Sequence, residues 1–334
     1  MLKAKIVILN WNGRQHLETY LPSVVASCPD WAGVVVADNG STDDSVEWLV
    51  AHYPQVELVL LDRNYGFAEG YNRALAQVED AEYLVLLNSD VETPEGWLTP
   101  LVECLESDPR VGAVAPKLRS WCDRTSFEYA GASGGFMDVL GYPFCRGRIM
   151  GTIEKDCGQY DDARNVFWAS GAAFACRSSV FRSLGGFDGD FFAHQEEIDL
   201  CWRMWRAGYT VRVEPRSVVY HLGGGTLPTS SPRKTYLNHR NNLSMLYKNL
   251  NSPIRRTLVV GVRLVLDGLT AAMYLCKGEW QGVKAVWQAH RDFFARRRSL
   301  RAKRTPSIAS PEGVYRGSMV LRYLFGGRTF NQMM

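Results

Sequence analysis

Ile6–Asn12 reads IVILNWN and Val34–Ser45 reads VVVADNGSTDDS, and both show a continuous apolar run that ends on Asn or Asp. Such runs suit strands buried on both faces, as in a parallel sheet. The runs are Lys5–Leu9, Gly33–Ala37, Val56–Leu61 and Tyr83–Leu87. Between them the apolar residues take helical spacing, with Leu17, Leu21, Val24 and Val25 on one stripe and Val46, Leu49 and Val50 on another. The alternation β-α-β-α-β-α-β over the first 90 residues predicts a doubly wound α/β sheet. Ligands of such sheets bind beyond the carboxyl ends of the strands. Four polar segments follow those ends: Asn10-Trp11-Asn12, Asp38–Asp43, Arg63–Asn72 and Asn88-Ser89-Asp90. Four of them converging on one sheet edge point to a polar ligand. Neither a G-x-G-x-x-G turn nor a Walker A loop is present, so dinucleotide and P-loop chemistry is excluded.

With 46% hydrophobic and 22% charged residues, the 334-residue chain is neither disordered nor a disulfide scaffold. The eight cysteines form no C-x-x-C pair, which argues against zinc and for free thiols in a reducing cytoplasm. The apolar run Ile6–Leu9 is too short for a signal peptide or a membrane span. The net charge of +3 hides an asymmetry. Residues 1–254 carry 23 Lys+Arg against 31 Asp+Glu, and residues 255–334 carry 15 against 4. An acidic body with a basic tail points to an anionic surface as partner.

Eight motifs in order, IVILNWN, VVVADNGSTDDS, RNYGFAEGYNRAL, LLNSDV, SGAAFACR, GGFD, EEIDLCWR and YHLGGGT, resemble glycosyltransferase family 2, with the bacterial rhamnosyltransferase-like enzymes as the nearest subgroup. The resemblance covers residues 4 to about 250. It implies a GT-A fold, a nucleotide-diphosphate sugar donor (dTDP- or UDP-sugar), Mg²⁺ or Mn²⁺, and an inverting mechanism. The expected organisation is a GT-A domain over 1–252, with a nucleotide-sugar half (1–110) and an acceptor half (111–252), then a basic amphipathic helical tail over 253–334.

A departing nucleoside diphosphate needs its charge neutralised, and a hard divalent ion does so through oxygen ligands. Asn88-Ser89-Asp90 stands where the family has D-x-D, so Asp90 is the expected carboxylate ligand and Asn88 replaces the first Asp. His221 matches a further metal ligand of metal-using relatives. An inverting transfer needs one base on the acceptor side. Glu197 occupies that position, where the family has Asp, and Glu196 is its rival. With Asp199 these are three carboxylates within four residues, whose repulsion should raise one pKa towards neutrality. For the nucleotide the resemblance implies Asp38, with Asn10 and Asn12 beside it. The turn Gly66-Phe67-Ala68 with Asn72 would let backbone approach the nucleotide. Arg233 or Arg240, in and after a Pro/Ser/Thr stretch, would meet the diphosphate as part of a lid.

The tail expectation is a pair of helices. Residues 255–276 are apolar except for the stripe Arg256, Arg263, Asp267 and Thr270, and residues 280–298 carry Trp280, Val283, Trp287 and Phe294 on one side. A wide apolar face with flanking arginines over 255–304 suits a helix lying in an anionic membrane interface at the cytoplasmic face, while crossing stays open. The acceptor expected there is lipid-linked or a saccharide. A nucleotidyltransferase would want a Gly-rich loop after strand one, a processive synthase a Q-x-x-R-W motif, and a non-catalytic binding protein would not need Asp90, Glu197 and His221 together. No nucleic-acid signature is present.

Overall fold

Ala4–Asn10 forms a strand because its side chains serve two cores at once. Val7, with Val35, Leu84 and Leu86, packs on one face, and Ile6 and Ile8, with Val36, Val85 and Leu87, pack on the other. The computed structural model describes residues 2–78, 81–223 and 231–334. The first half alternates as expected: β1 (Ala4–Asn10), α1 (Arg14–Ala26), β2 (Ala32–Asp38), α2 (Ser45–His52), β3 (Glu57–Leu60), α3 (Gly66–Leu75) and β4 (Tyr83–Asn88). Next come β5 (Val91–Glu92), α4 (Leu98–Ser107) and β6 (Val111–Ser120). Four short strands follow, β7 (Gly135–Asp138), β8 (Pro143–Cys145), β9 (Arg148–Ile149) and β10 (Thr152–Ile153). After β11 (Arg164–Asn165) and β12 (Ala173–Arg177) lie α5 (Ser178–Ser183), α6 (Glu196–Arg206) and β13 (Thr210–His221). The chain continues through α7 (Pro232–Asn249), α8 (Pro253–Cys276), α9 (Trp280–Ala302), β14 (Val314–Tyr315), α10 (Met319–Leu324) and α11 (Phe330–Met333).

The main sheet runs β11-β13-β6-β12-β4-β1-β2-β3, with β5 beside β13. β3, β2, β1 and β4 are parallel, β12 is antiparallel to both its neighbours, and β6 and β13 are parallel again. The register sets Asn10 opposite Asp38 and Leu9 opposite Asn88, so the polar strand ends share one edge.

The stretch expected as a tail packs on the rest of the chain. β14 pairs with β7, completing a small sheet β10-β9-β8-β7-β14. Phe330 enters an aromatic cluster, with ring centroids 4.7 Å from Phe136, 5.8 Å from Tyr160 and 6.2 Å from Phe144. Helix α8 turns its polar stripe inward: Asp267 accepts from His239 of α7 at 3.0 Å and from His290 of α9 at 3.2 Å, beside Arg263. Its outward face is apolar, with Leu258, Val262, Val265, Leu269 and Met273 exposed.

Candidate active site

At the edge shared by β1 and β2, Asn10 donates to Asp38 Oδ1 at 3.1 Å and to Ser41 Oγ at 3.3 Å. Asp38 accepts the Ser41 amide at 2.8 Å, and Asn12 accepts the Thr42 amide at 2.7 Å. Asp38 is buried, and Asn10 keeps a buried Oδ1 without a hydrogen-bond partner among the described residues. These residues form one connected rim, with Trp11 exposed above it.

The Gly66-Phe67-Ala68 turn, where the nucleotide is expected, is met by Phe192. The amides of Phe67 and Ala68 donate to Phe192 O at 2.6 and 3.1 Å. A Cβ on Gly66, whose φ is +78°, would lie 2.5 Å from the Phe192 ring. The glycine is required, but for packing of protein on protein. Asn72 is likewise spent internally, donating to Phe187 O at 2.8 Å and accepting its amide at 2.9 Å. Asn39, in the same polar segment as Asp38, clamps the turn through Gly66 O and the Tyr65 amide, each at 3.0 Å.

The end of β4 meets the end of β13. His221 Nε2 lies 3.1 Å from Asp90 Oδ1 and 3.4 Å from Asn88 Nδ2, and its Nδ1 lies 3.3 Å from Glu128 Oε1. Pairing of β5 with β13, which sets His221 opposite Val91, brings them together. Burial alone would lower the His221 pKa, but the carboxylates of Asp90 and Glu128 outweigh it and push it up to about 10. Burial would raise Asp90, and His221 more than offsets that, holding it below the usual carboxylate range. A carboxylate oxygen and an imidazole nitrogen about 3 Å apart suit neighbouring ligands of an ion with bonds near 2.1 Å. A second carboxylate on the far ring nitrogen is the usual means of orienting a ligating His. The residues therefore fit a divalent cation. Among the described residues no group of three His, Cys, Asp or Glu side chains could hold one unaided. Glu128 had no motif to mark it in sequence.

From this cluster the structure leads directly to the glutamates. The Asn88 amide donates to Ala172 O at 3.0 Å, and a Cβ on Gly171 would lie 3.8 Å from Glu197 Cβ. Glu196 and Glu197 open α6, and each has a buried Oε2 without a hydrogen-bond partner among the described residues. Burial pushes Glu197 up to about 7 and, with the adjoining Glu197 charge, lifts Glu196 well above its ordinary value. The expected repulsion acts on Glu196, which both Glu197 and Asp199 push up, although burial is the larger cause. Asp199 is held below its ordinary value by Lys248 and Arg203, whose cations overcome its burial. Its oxygens accept from Arg203 and Lys248 of α6 and α7 and from Asn249 at 2.8–2.9 Å. The catalytic role expected of Asp199 thus gives way to a structural one.

The loop before the glutamates is strained. Phe192, His194 and Gln195 have φ of 66°, 70° and 70°, at a cost of roughly 1–3 kcal/mol each. Helix α7 holds it there. Asn241 donates to the carbonyls of Phe191, Ala193 and His194 at 2.8–3.0 Å, and Asn242 to Gln195 Oε1 at 3.1 Å. Arg240 donates to Asp190 O and Phe191 O at 2.9 and 2.8 Å, so it braces this loop and is not free to meet a phosphate. Arg233 differs: exposed at the start of α7, it lies over the Phe192 ring at 4.7 Å. Next to it Lys234 is partly buried and has no hydrogen bond or ion pair among the described residues. His194, with its buried Nε2 unpartnered, is lowered to about 4 by burial and then by Lys234. Most of the expected lid, residues 224–230, lies outside the described residues.

This carboxylate–imidazole pair lies at the carboxyl edge of a mixed α/β sheet, beside a buried acid pair, in a chain of GT-A fold. The model of glycosyl transferase family 2 matches residues 5–182, and the chain belongs to that family as a rhamnosyltransferase-like member. It is 30% identical over 239 residues to N-acetylglucosaminyl-diphospho-decaprenol L-rhamnosyltransferase of Mycobacterium tuberculosis, covering 66% of this chain and 76% of that one. Among solved structures, GalNAc-T7 with UDP, GalNAc and Mn²⁺ aligns with a TM-score of 0.57 at 17% identity, over 74% of this chain and 48% of that one. S. aureus TarS 1-349 with UDP-GlcNAc aligns at 0.56 and 15%, over 90% and 88%. The mannosyltransferase PcManGT of Pyrobaculum calidifontis, with GDP-Man and Mn²⁺, aligns at 0.53 and 17%, over 90% and 85%.

Proposed function

We propose that this glycosyltransferase moves a sugar, L-rhamnose in our reading, from a dTDP- or UDP-sugar to a lipid-linked saccharide with inversion. The observation that carries the reading is the pair of buried, unpartnered Oε2 atoms of Glu196 and Glu197, joined through Gly171 and Ala172 to the Asp90–His221 pair. Asp90 and His221 would hold Mg²⁺ or Mn²⁺, oriented by Glu128. Such an ion supplies charge neutralisation for the departing diphosphate. Asn10, Asn12 and Asp38 form the nucleoside rim. Glu197 takes the acceptor hydroxyl proton, which its raised pKa near neutrality favours. Arg233 and Lys234 supply positive charge at the site mouth for the diphosphate.

The same reading places the chain on the cytoplasmic face of a membrane. Pro253–Cys276 is long and apolar enough to cross a bilayer. Its inner stripe is committed to His239 and His290, however, which favours a helix lying in the interface. Trp280 and Trp287 of α9 are also exposed, and cationic residues near an anionic surface add about 1 kcal/mol each. A thermal-shift screen of nucleotide-sugars with and without Mn²⁺ tests the donor reading. Stabilisation by dTDP-L-rhamnose that needs Mn²⁺ supports it, and stabilisation by no nucleotide-sugar refutes it.

A further inference from the structure

The strained loop that leads into Glu196 is gripped from two sides. Helix α7 holds its inner side through Arg240 and Asn241. The C-terminal end of α9 holds its outer side. Arg296 donates to Asp190 O at 3.0 Å, while the Lys303 ammonium reaches Asp188 Oδ1 and, at 2.8 Å, Asp190 Oδ2. Asp188 is buried, and its other oxygen accepts from Lys248 at 2.7 Å. Lys248 in turn binds Asp199 of α6 at 2.8 Å. The start of the loop and the helix that carries the glutamates are therefore tied to one ion cluster, which Lys303 closes from outside.

We infer that Lys303 and Arg296 are positioning residues for the transfer, fixing the loop 188–195 and through it the glutamate pair. This rests on reading Glu197 as the base. The carbonyls of residues 190, 191, 193 and 194 are all pinned to α7, so the loop has little slack. Among the described residues, removing the Lys303 ammonium leaves Asp188 Oδ1 with the Asp190 amide at 3.3 Å, a poor substitute for a cation. The carboxylate then draws towards Lys248 and the loop shifts with it. The Lys303 side chain is half-exposed, with 38% of it accessible, so truncating it opens no cavity in the core. An unsupported exposed ion pair contributes little to stability, but a shift of the reacting groups by an ångström costs rate.

The test compares full-length wild type, Lys303→Ala, Lys303→Arg and Arg296→Ala. Transfer from dTDP-L-rhamnose to an N-acetylglucosaminyl-diphospho-polyprenol is followed with Mn²⁺, dTDP affinity by calorimetry, and hydrogen exchange in peptides spanning 188–199. Lys303→Ala should lower kcat about 10-fold, leave dTDP affinity and melting temperature in place, and speed exchange in 188–195. Arg296→Ala should act in the same direction, and Lys303→Arg should recover kcat to within about twofold. Wild-type kcat and unchanged loop exchange in Lys303→Ala would overturn the inference. So would an equal loss in dTDP affinity, which marks general damage. Full activity of Glu197→Gln and of Glu196→Gln refutes the base reading and, with it, the role given to Lys303. If Glu197→Gln is inactive while Lys303→Ala is normal, the positioning inference alone fails. Should wild type not use this donor, the functional reading fails and loop exchange decides: no change in Lys303→Ala overturns the inference.

Discussion

His221 and Asp90 are 131 residues apart in the chain and 3.1 Å apart in space, with Glu128 on the opposite ring nitrogen. Asp90 and His221 would hold a divalent ion, with Glu128 orienting the imidazole. Asp90→Asn and His221→Ala should each abolish Mn²⁺-dependent stabilisation by the nucleotide-sugar. Glu128→Gln should weaken Mn²⁺ by roughly 10–100-fold while leaving metal-free melting nearly unchanged. Calorimetric titration of Mn²⁺ in the presence of dTDP separates these outcomes.

The Glu197 carboxyl, raised to about 7 from an ordinary 4.5, gives two pH signatures of known sign. As a base it must be ionised, so kcat should rise with unit slope up to pH about 7 and then level. As a group whose proton is bound more tightly in the folded state, it favours the fold at low pH. Stability is lost as pH rises from about 4.5 to about 7, by roughly 3 kcal/mol at most. Glu197→Gln should abolish transfer, and in urea titrations it should stabilise the fold at pH 8 but not at pH 4.

Gly66→Ala places a methyl against the Phe192 ring at a backbone angle that alanine resists. A cost of about 1–3 kcal/mol is expected from the φ alone, with more from the overlap. The variant should melt earlier and lose transfer. Phe192→Ala in the same chain should restore part of the melting temperature, and a purely additive loss would contradict the contact.

Phe330→Ala removes a ring from among Phe136, Phe144 and Tyr160 and should cost about 3–5 kcal/mol in urea unfolding. Cutting the chain after residue 252 is consequently a poor test of membrane binding, since it strips the small sheet of β14 and the aromatic cluster of its lid.

Membrane docking is better tested on the outer face. Leu269 is 58% exposed and Trp287 is 61% exposed. Leu269→Glu with Trp287→Ala should leave the melting temperature within about 2 °C, since neither change touches the core. It should greatly reduce sedimentation with phosphatidylglycerol vesicles. Undiminished sedimentation would argue against this surface.

The parallel half of the fold was legible because its strands are buried on both faces and so appear as unbroken apolar runs, from Ile6–Leu9 to Tyr83–Leu87. Asp90, His221, Glu196 and Glu197 could be singled out because each stands in a short motif at the end of a strand or the start of a helix, and the fold brings Asp90 and His221 together. The small sheet was not, since β8 to β10 are two or three residues long and too short for a period to show. Glu128 was missed for a related reason: its importance lies in what it faces, the His221 ring, across the fold. The roles of Asp199, Arg240 and Asn72 were misjudged because a polar residue near a motif is as easily spent on holding backbone as on holding substrate. The basic tail reads in sequence as charge for a membrane surface, yet Arg263, Arg296 and Lys303 bond within the protein.

The Phe192 carbonyl that receives the Phe67 and Ala68 amides carries a consequence for engineering. A chimera that replaced residues 1–110 of this chain with another sequence would have to keep the joint made of Gly66 on one side and Phe192 on the other. The halves are not interchangeable cassettes, and a change of sugar specificity by module exchange would have to carry both sides of that joint together.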